Sequence, residues 1–398
     1  MEELHEACSI VCNSGHAHRT GESAGQRRLG PAADRPPRPA VRRRRAGRRA
    51  GAATATALGR DRAAPPAAAP AAAAVAHHGA RQSGLTYRQL PSTRLLALDL
   101  PVDATRDTLR GLLAGLDKVL AAASAGTLAD PRLSGAAPVS SLAAVGAALA
   151  ARLKLDLPAE LADLPAFPGD RLDPARSGGD LLLQVSAEHP WTVGVLTEHL
   201  VSAAKPAAVR WSQAGFLPPV PGGETPRNLF GFKDGTANPD AADPGLWNAD
   251  GTILVYRRIR MDTAAFAALP TAGQELAMGR RLTTGAPLTG TAERDDPDIY
   301  AKHPDGSYII PADSHVRLSS PRLDGGARML RRGYSYDDGP ADRGLLFCAF
   351  MRDPALFTRV QNRLAEKDAL TPFLTHNASA VAWVLPGSRP DRPLGATL

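Results

Sequence analysis

The sequence predicts a duplicated α+β fold with mainly antiparallel sheets, and three observations carry that expectation. A strand at 181–187 (LLLQVSA), a helix opening at Pro190 and a β-run at 207–212 recur later as 345–350 (LLFCAF), a helix opening at Pro354 and a β-run at 380–385 (AVAWVL). The spacing from Leu181 to Pro190 equals that from Leu345 to Pro354. At 398 residues and 43% apolar side chains, the chain can bury a core in two domains or one large unit.

Taken in order, 93–100 (TRLLALDL) reads as a short strand. Asp103 then caps a helix whose apolar positions, Leu109, Leu112, Leu113, Leu116, Val119 and Leu120, follow helical spacing. Residues 127–179, rich in Pro, Gly, Asp and Ala, read as a long connection with one helical stretch near 142–153. The first strand–helix–strand unit follows, its helix running to about 203. A strand at 252–261 (TILVYRRIRM) and a partly helical 263–281 lead into the second unit, whose helix ends near 366.

Forty-seven basic against 40 acidic residues give +7, which suggests a nucleic-acid partner until the charge is located. Residues 1–80 hold 13 arginines and six acidic residues, leaving 34 of each sign in 81–398. A nucleic-acid role therefore has no support in the folded part. No apolar run is long enough for a transmembrane helix. Three cysteines (Cys8, Cys12, Cys348) leave no disulfide framework and no CxxC metal knuckle.

Residues 1–76 are dominated by Ala, Arg, Pro and Gly and cannot bury enough surface to offset chain entropy. Arginine clusters (Arg27-Arg28, Arg42 to Arg45, Arg48-Arg49) precede a small-residue stretch that ends Ala74-Val75-Ala76, an A-x-A pattern. This is the layout of a twin-arginine export signal, and the expected location is periplasmic or extracellular. Arg60, Asp61, Arg62 and three prolines interrupt the tract, so a low-complexity basic tail and a misplaced start codon are the competing readings. Cleavage after Ala76 would leave one thiol, Cys348.

Three segments place polar residues among glycines and apolar residues. In NLFGFKDGTANP (228–239), Gly231 and Gly235 flank a loop carrying Phe232, Lys233, Asp234 and Thr236. Glycine beside a carboxylate lets backbone approach a flat ligand, although Asp-Gly is commonly just a turn. In SHVRLSSPR (314–322), His315 sits between a turn and an alternating V-R-L strand containing Arg317. No partner lies at zinc-like spacing, whereas one histidine suffices where a porphyrin supplies four nitrogens; a hydrogen-bonded structural histidine is the plainer alternative. In MLRRGYSY (329–336), Arg331 could offer planar donors to a developing oxyanion, or belong to a solvated basic turn.

Together, GFKDG, SHVRL and LRRGYSY resemble the dye-decolorizing (DyP-type) haem peroxidase family. Within it the match looks closest to the exported peroxidase/deferrochelatase component of bacterial iron-uptake systems. HHGARQSGL (77–85), LPAFPGDRLDP (164–174), SGGDLLLQVSA (177–187), TGAPLTG (284–290) and GLLFCAF (344–350) extend the resemblance from about His77 to the end. It implies two ferredoxin-like halves of the dimeric α+β barrel type, at 77–225 and 226–398, with haem b in the second. It also implies His315 as the proximal ligand to haem iron, Asp234 as the distal acid–base residue and Arg331 as the distal arginine. Gly231, Phe232, Lys233, Gly235, Thr236 and Arg317 would line the cofactor, and Asp368 is the candidate acceptor for the outer nitrogen of His315. Electrons from bulky dyes could hop through Tyr334, Tyr336, Trp211 or Trp383, each of which could equally be packed core. The implied function is reduction of hydrogen peroxide with oxidation of dyes, phenols or another reductant. The alternatives are release of iron from haem with the porphyrin intact, or a haem carrier without turnover, which the pairing of Asp234 with Arg331 argues against. Other iron-uptake components and a homo-oligomer are the possible protein partners.

Overall fold

A computed structural model describes residues 75–133, 138–220 and 224–398; the expected leader up to residue 74 lies outside the described residues. The N-terminal half contains α1 (Ser83–Thr86), β1 (Ser92–Asp99), α2 (Arg106–Ser124), β2 (Val139–Gly146), α3 (Ala147–Arg152), β3 (Leu181–Ala187), α4 (Pro190–Ala203) and β4 (Ala208–Phe216). The C-terminal half contains β5 (Thr252–Met261), α5 (Thr263–Ala267), α6 (Thr271–Met278), α7 (His315–Leu318), β6 (Leu330–Arg331), β7 (Tyr334–Asp337), β8 (Arg343–Met351), α8 (Ala355–Lys367) and β9 (Leu374–Val384).

All strand pairings are antiparallel, in the order β5-β9-β2-β3-β1-β4-β7-β8-β6, and β5 also pairs with β8. The extra pairing closes the sheet into a barrel, which removes two exposed edges. The two halves meet where β2 pairs with β9 and where Phe216 of β4 pairs with Ser335 of β7.

Strand alternation then builds distinct cores. Leu95, Leu142, Leu182, Tyr256, Leu346 and Ala380 belong to one cluster that draws on every strand, the barrel interior. The opposite side chains of the N-terminal half, among them Leu96, Val145 and Leu183, pack beneath the leucine stripe of α2 and the Val193, Leu196 and Leu200 face of α4. In the C-terminal half, Val255, Ala349 and Met351 pack against Leu356, Phe357 and Val360 of α8. Each fully buried leucine or phenylalanine contributes about 1.5–3 kcal/mol relative to exposure. The helices after β3 and β8 thus occupy equivalent places, as the repeat predicts.

Three local expectations differ. The α2 cap is Thr105, whose Oγ1 accepts from Thr108 N at 3.2 Å while the Thr108 hydroxyl accepts from Thr105 N at 3.2 Å. This reciprocal capping box begins the helix at Arg106 rather than just after Asp103. Residues 139–146 form a strand, not the start of a helix; paired by β3 and β9, all eight are buried, and its Ala/Ser-rich sequence carries only two β-branched residues, Val139 and Val145. His315 opens a short helix instead of preceding a strand, with Leu318 N donating to Ser314 O at 3.0 Å.

Candidate active site

The loop that carries Asp234 folds on itself. Asn228 Oδ1 accepts from Phe230 N (3.0 Å) and Phe232 N (3.3 Å), and Asn228 N donates to Phe232 O at 2.9 Å. Gly231 (φ 87°) and Gly235 (φ 108°) occupy the left-handed region that a side chain would strain, so glycine is required on both sides of the carboxylate. Lys233 does not contribute a free cation: its Nζ pairs with Glu224 Oε2 at 3.1 Å and with Glu293, which raises its pKa. The Glu293 pair ties the loop to the segment after α6, while the Glu224 pair ties it to the residues just before it.

Asp234 shares a cavity of about 530 Å³ with His315, Arg331, Asp368, Lys233, Gly235 and Thr236. Apolar side chains of β5, β8 and α8, including Ile259, Met261, Phe347, Phe357, Val360 and Leu364, form the rest of its wall. The cavity therefore lies between the outer face of the C-terminal sheet and the elements packed on it. Its position follows from period-two alternation: Arg257, Ile259 and Met261 face it, while Leu254 and Tyr256 face the barrel interior.

His315, at the start of α7, donates from Nδ1 to Asp368 Oδ2 at 2.6 Å. Asp368 follows the last residue of α8, its side chain is 2% exposed, and its Oδ1 accepts from Leu370 N at 2.9 Å. A backbone bond from Ala369 N to Asp313 O (2.9 Å) holds the two segments together. Burial disfavours the imidazolium, but the Asp368 carboxylate outweighs it and the His315 pKa is raised. With Nδ1 committed, Nε2 is the nitrogen left to the cavity, the arrangement that orients a metal-binding imidazole and raises its basicity. The charges of Asp234 and Arg331 also act on His315.

Arg331 lies in the two-residue β6, paired with Ala349 of β8. Asn238, four residues after Asp234, clamps its backbone: Nδ2 donates to Arg331 O at 2.7 Å, and Arg331 N donates to Asn238 Oδ1 at 3.0 Å. A second arginine, Arg280, borders the cavity with 6% exposure and is fixed by Nη1 donation to Gly285 O (2.7 Å) and Glu293 O (3.0 Å). Burial and the nearby Arg331 charge lower its pKa, while Asp234 and Glu293 act in the opposite direction.

Three sequence-predicted lining residues lie elsewhere. Gly231 makes the turn against Leu282, and Phe232 is 1% exposed in an aromatic cluster with Phe230 and Phe266. Arg317 donates to Ile299 O and stacks 3.7 Å over Tyr308, because its position on α7 points away from the cavity that His315 faces. Of the aromatic residues, Trp211, Tyr334 and Tyr336 belong to the barrel interior and Trp383 to the core under α2 and α4. Tyr334 alone among them also borders the cavity. Arg280, Asn238, Arg257 and His376 were not legible as site residues, since they join the cavity through strand pairing and long loops.

Among the described residues no three His, Cys, Asp or Glu side chains converge as a metal cluster. The family models "Dyp-type peroxidase, N-terminal" and "Dyp-type peroxidase, C-terminal" match residues 82–217 and 225–389. A dye-decolorizing peroxidase of Thermobifida fusca is 44% identical over 268 residues, 61% of this chain and 62% of that protein. A deferrochelatase of Escherichia coli K12 is 36% identical over 259 residues, 58% of this chain and 60% of that protein. The chain thus aligns with about three-fifths of the length of these curated relatives. The crystal structure of a DyP-type peroxidase from Cellulomonas bogoriensis superposes with TM-score 0.77 at 35% identity, covering 83% of this chain and 99% of that one. An oxyferrous complex of DtpA from Streptomyces lividans gives 0.76 at 31% identity, covering 82% and 97%.

Proposed function

The chain belongs to the Dyp-type peroxidase family, and from that premise we propose that it is a haem-dependent peroxidase, reducing hydrogen peroxide at the expense of dyes, phenols or another small reductant. The observation that carries the reading is one cavity shared by the Asp368-anchored imidazole of His315, the Asp234 carboxylate and the Arg331 guanidinium.

The residues present fit a haem. One fixed imidazole is the donor set that an iron porphyrin needs from protein, and the broad apolar wall suits a planar macrocycle. The guanidinium of Arg257 in that wall retains buried nitrogens without a partner, which a carboxylate-bearing ligand could satisfy. His315 would hold the group through Nε2, and the haem when bound supplies the iron at which peroxide is reduced.

The protein's own part is proton handling and charge. Asp234 can accept the proton from the near oxygen of peroxide at a carboxylate oxygen and return it to the far oxygen. Such transfers are worth about 10²–10⁴-fold. Arg331 donates hydrogen bonds to the oxygen on which negative charge builds, a service whose loss elsewhere costs about 3–4 kcal/mol. Asn238 holds the backbone of Arg331, while the Lys233–Glu293 pair holds the loop of Asp234. Stopped-flow mixing of the haem-loaded protein with peroxide tests the assignment: Asp234→Asn should slow the first spectral change by about 10²–10⁴-fold. A wild-type rate in that variant would refute it.

The deferrochelatase likeness supports a second reading, removal of iron from haem with the porphyrin intact, which would use the same cavity. Free protoporphyrin after incubation with haem, against peroxide-dependent bleaching of dye, separates the two. Export by the twin-arginine route is also proposed, supported by the arginine clusters and Ala74-Val75-Ala76. N-terminal sequencing of exported material tests it.

A further inference from the structure

We propose that Arg257 and His376 form an anion subsite in the cavity wall that receives a propionate carboxylate of the macrocycle. The inference rests on the haem reading and extends it to how the acidic edge of the ring is recognised.

Arg257 is 0% exposed, yet only Nη2 has a polar partner, Asp170. Its Nε and Nη1 are buried without a hydrogen-bond partner, and so is Nδ1 of His376. Both residues border the cavity. The sheet brings them together: β5 lies beside β9, and Ile259, the next cavity-facing residue after Arg257, is opposite His376 in the register.

A buried cation with unmade hydrogen bonds is unfavourable unless an anion completes it. Asp170 completes Arg257 only in part, since its own Oδ2 also lacks a partner. The Phe167 ring centroid lies 5.4 Å from the guanidinium carbon of Arg257. Burial and the Arg257 charge push His376 down to about 3, so near neutral pH its ring is uncharged and can donate from Nδ1. Two donor groups thus border the cavity beside the apolar side chains of Ile259, Met261 and Phe347, and the planar guanidinium suits a carboxylate better than a point charge would. If Arg257 served only to hold the loop carrying Asp170, the bond through Nη2 would be sufficient.

The test compares binding of haem and of haem dimethyl ester, whose propionates carry no charge, to haem-free full-length protein by absorbance titration. Wild type should prefer haem by about tenfold to a hundredfold, the span of a charge-assisted hydrogen bond. Arg257→Met should abolish most of that preference, and His376→Gln should reduce it. Should Arg257→Met fail to fold, Arg257→Met/Asp170→Leu removes the buried pair whole and carries the same comparison. Equal affinity of wild type for both compounds, or an undiminished preference in the variants, would overturn the subsite while leaving the haem reading intact. Failure of wild type to bind either compound would overturn the haem reading itself.

Discussion

Replacing Asn238 by leucine should slow the reaction with peroxide far more than it weakens haem binding. The Asn238 amide makes two hydrogen bonds to the backbone of Arg331, of 2.7 and 3.0 Å, and touches it through no other polar group. A neutral hydrogen bond contributes about 1 kcal/mol net, so losing both removes about 2 kcal/mol from the placement of Arg331. If all of that is felt when charge develops on peroxide, the second-order rate constant falls about 30-fold. Asn238→Asp separates the two bonds: the carboxylate still accepts from Arg331 N but cannot donate to Arg331 O. It should lose at least the share of that one bond. The assay is stopped-flow absorbance over a series of peroxide concentrations, alongside haem affinity of the same preparations. A folded Asn238→Leu protein within twofold of wild type would refute the positioning role, as would an equal loss in haem affinity.

Three further outcomes follow from the same contacts. Asp368→Asn keeps the shape but removes the carboxylate behind His315, and should weaken haem binding by about 10–100-fold while raising the ferric/ferrous potential; unchanged haem loss and potential would make the contact passive. Burial opposes ionisation of Asp324, but Arg363 and Arg359 outweigh it and hold its carboxyl below the usual range. A carboxylate with a depressed folded pKa stabilises above its unfolded value of about 4 and loses that contribution as pH falls through the folded value. The stability gap between wild type and Asp324→Asn should therefore be about 1–2 kcal/mol at pH 7, limited by solvent screening of the two arginines, and should close below about pH 4 in urea melts. Gly285 has φ 75° and an added Cβ would lie 2.8 Å from Lys233 Cδ, so Gly285→Ala should cost about 1–2 kcal/mol by thermal melt and disturb the Lys233–Glu293 pair.

Local patterning made much of the fold legible. Strands β3 and β5 begin and end where their apolar runs do, and α4 and α8 begin at or just after the prolines that announce them. These elements carry their own signals in burial period and helix-start chemistry. Strand β2 does not, because an Ala/Ser-rich segment becomes a strand only when β3 and β9 are present to flank it. The two-residue β6 is shorter than any periodic signal, so the sequence offers Arg331 as a basic turn until β8 pairs with it. Arg317 shows the converse error: the resemblance implied that it lines the cofactor, and a helical turn directs it to Ile299 and Tyr308.

By itself, the sequence determined the duplicated α+β plan, the confinement of excess charge to the first 80 residues and the three short motifs that nominate Asp234, His315 and Arg331. Those features are local, written in periodicity, composition and neighbouring residue types. Tertiary structure decided what brings the motifs together: closure of the sheet through β5 and β8, the bond from His315 to Asp368, and the clamp from Asn238 to Arg331. It also decided that Arg257 and His376, far apart along the chain, share one wall. The physical reason is that a pairing register and a hydrogen bond are relations between distant segments, and no single segment encodes the distance between them.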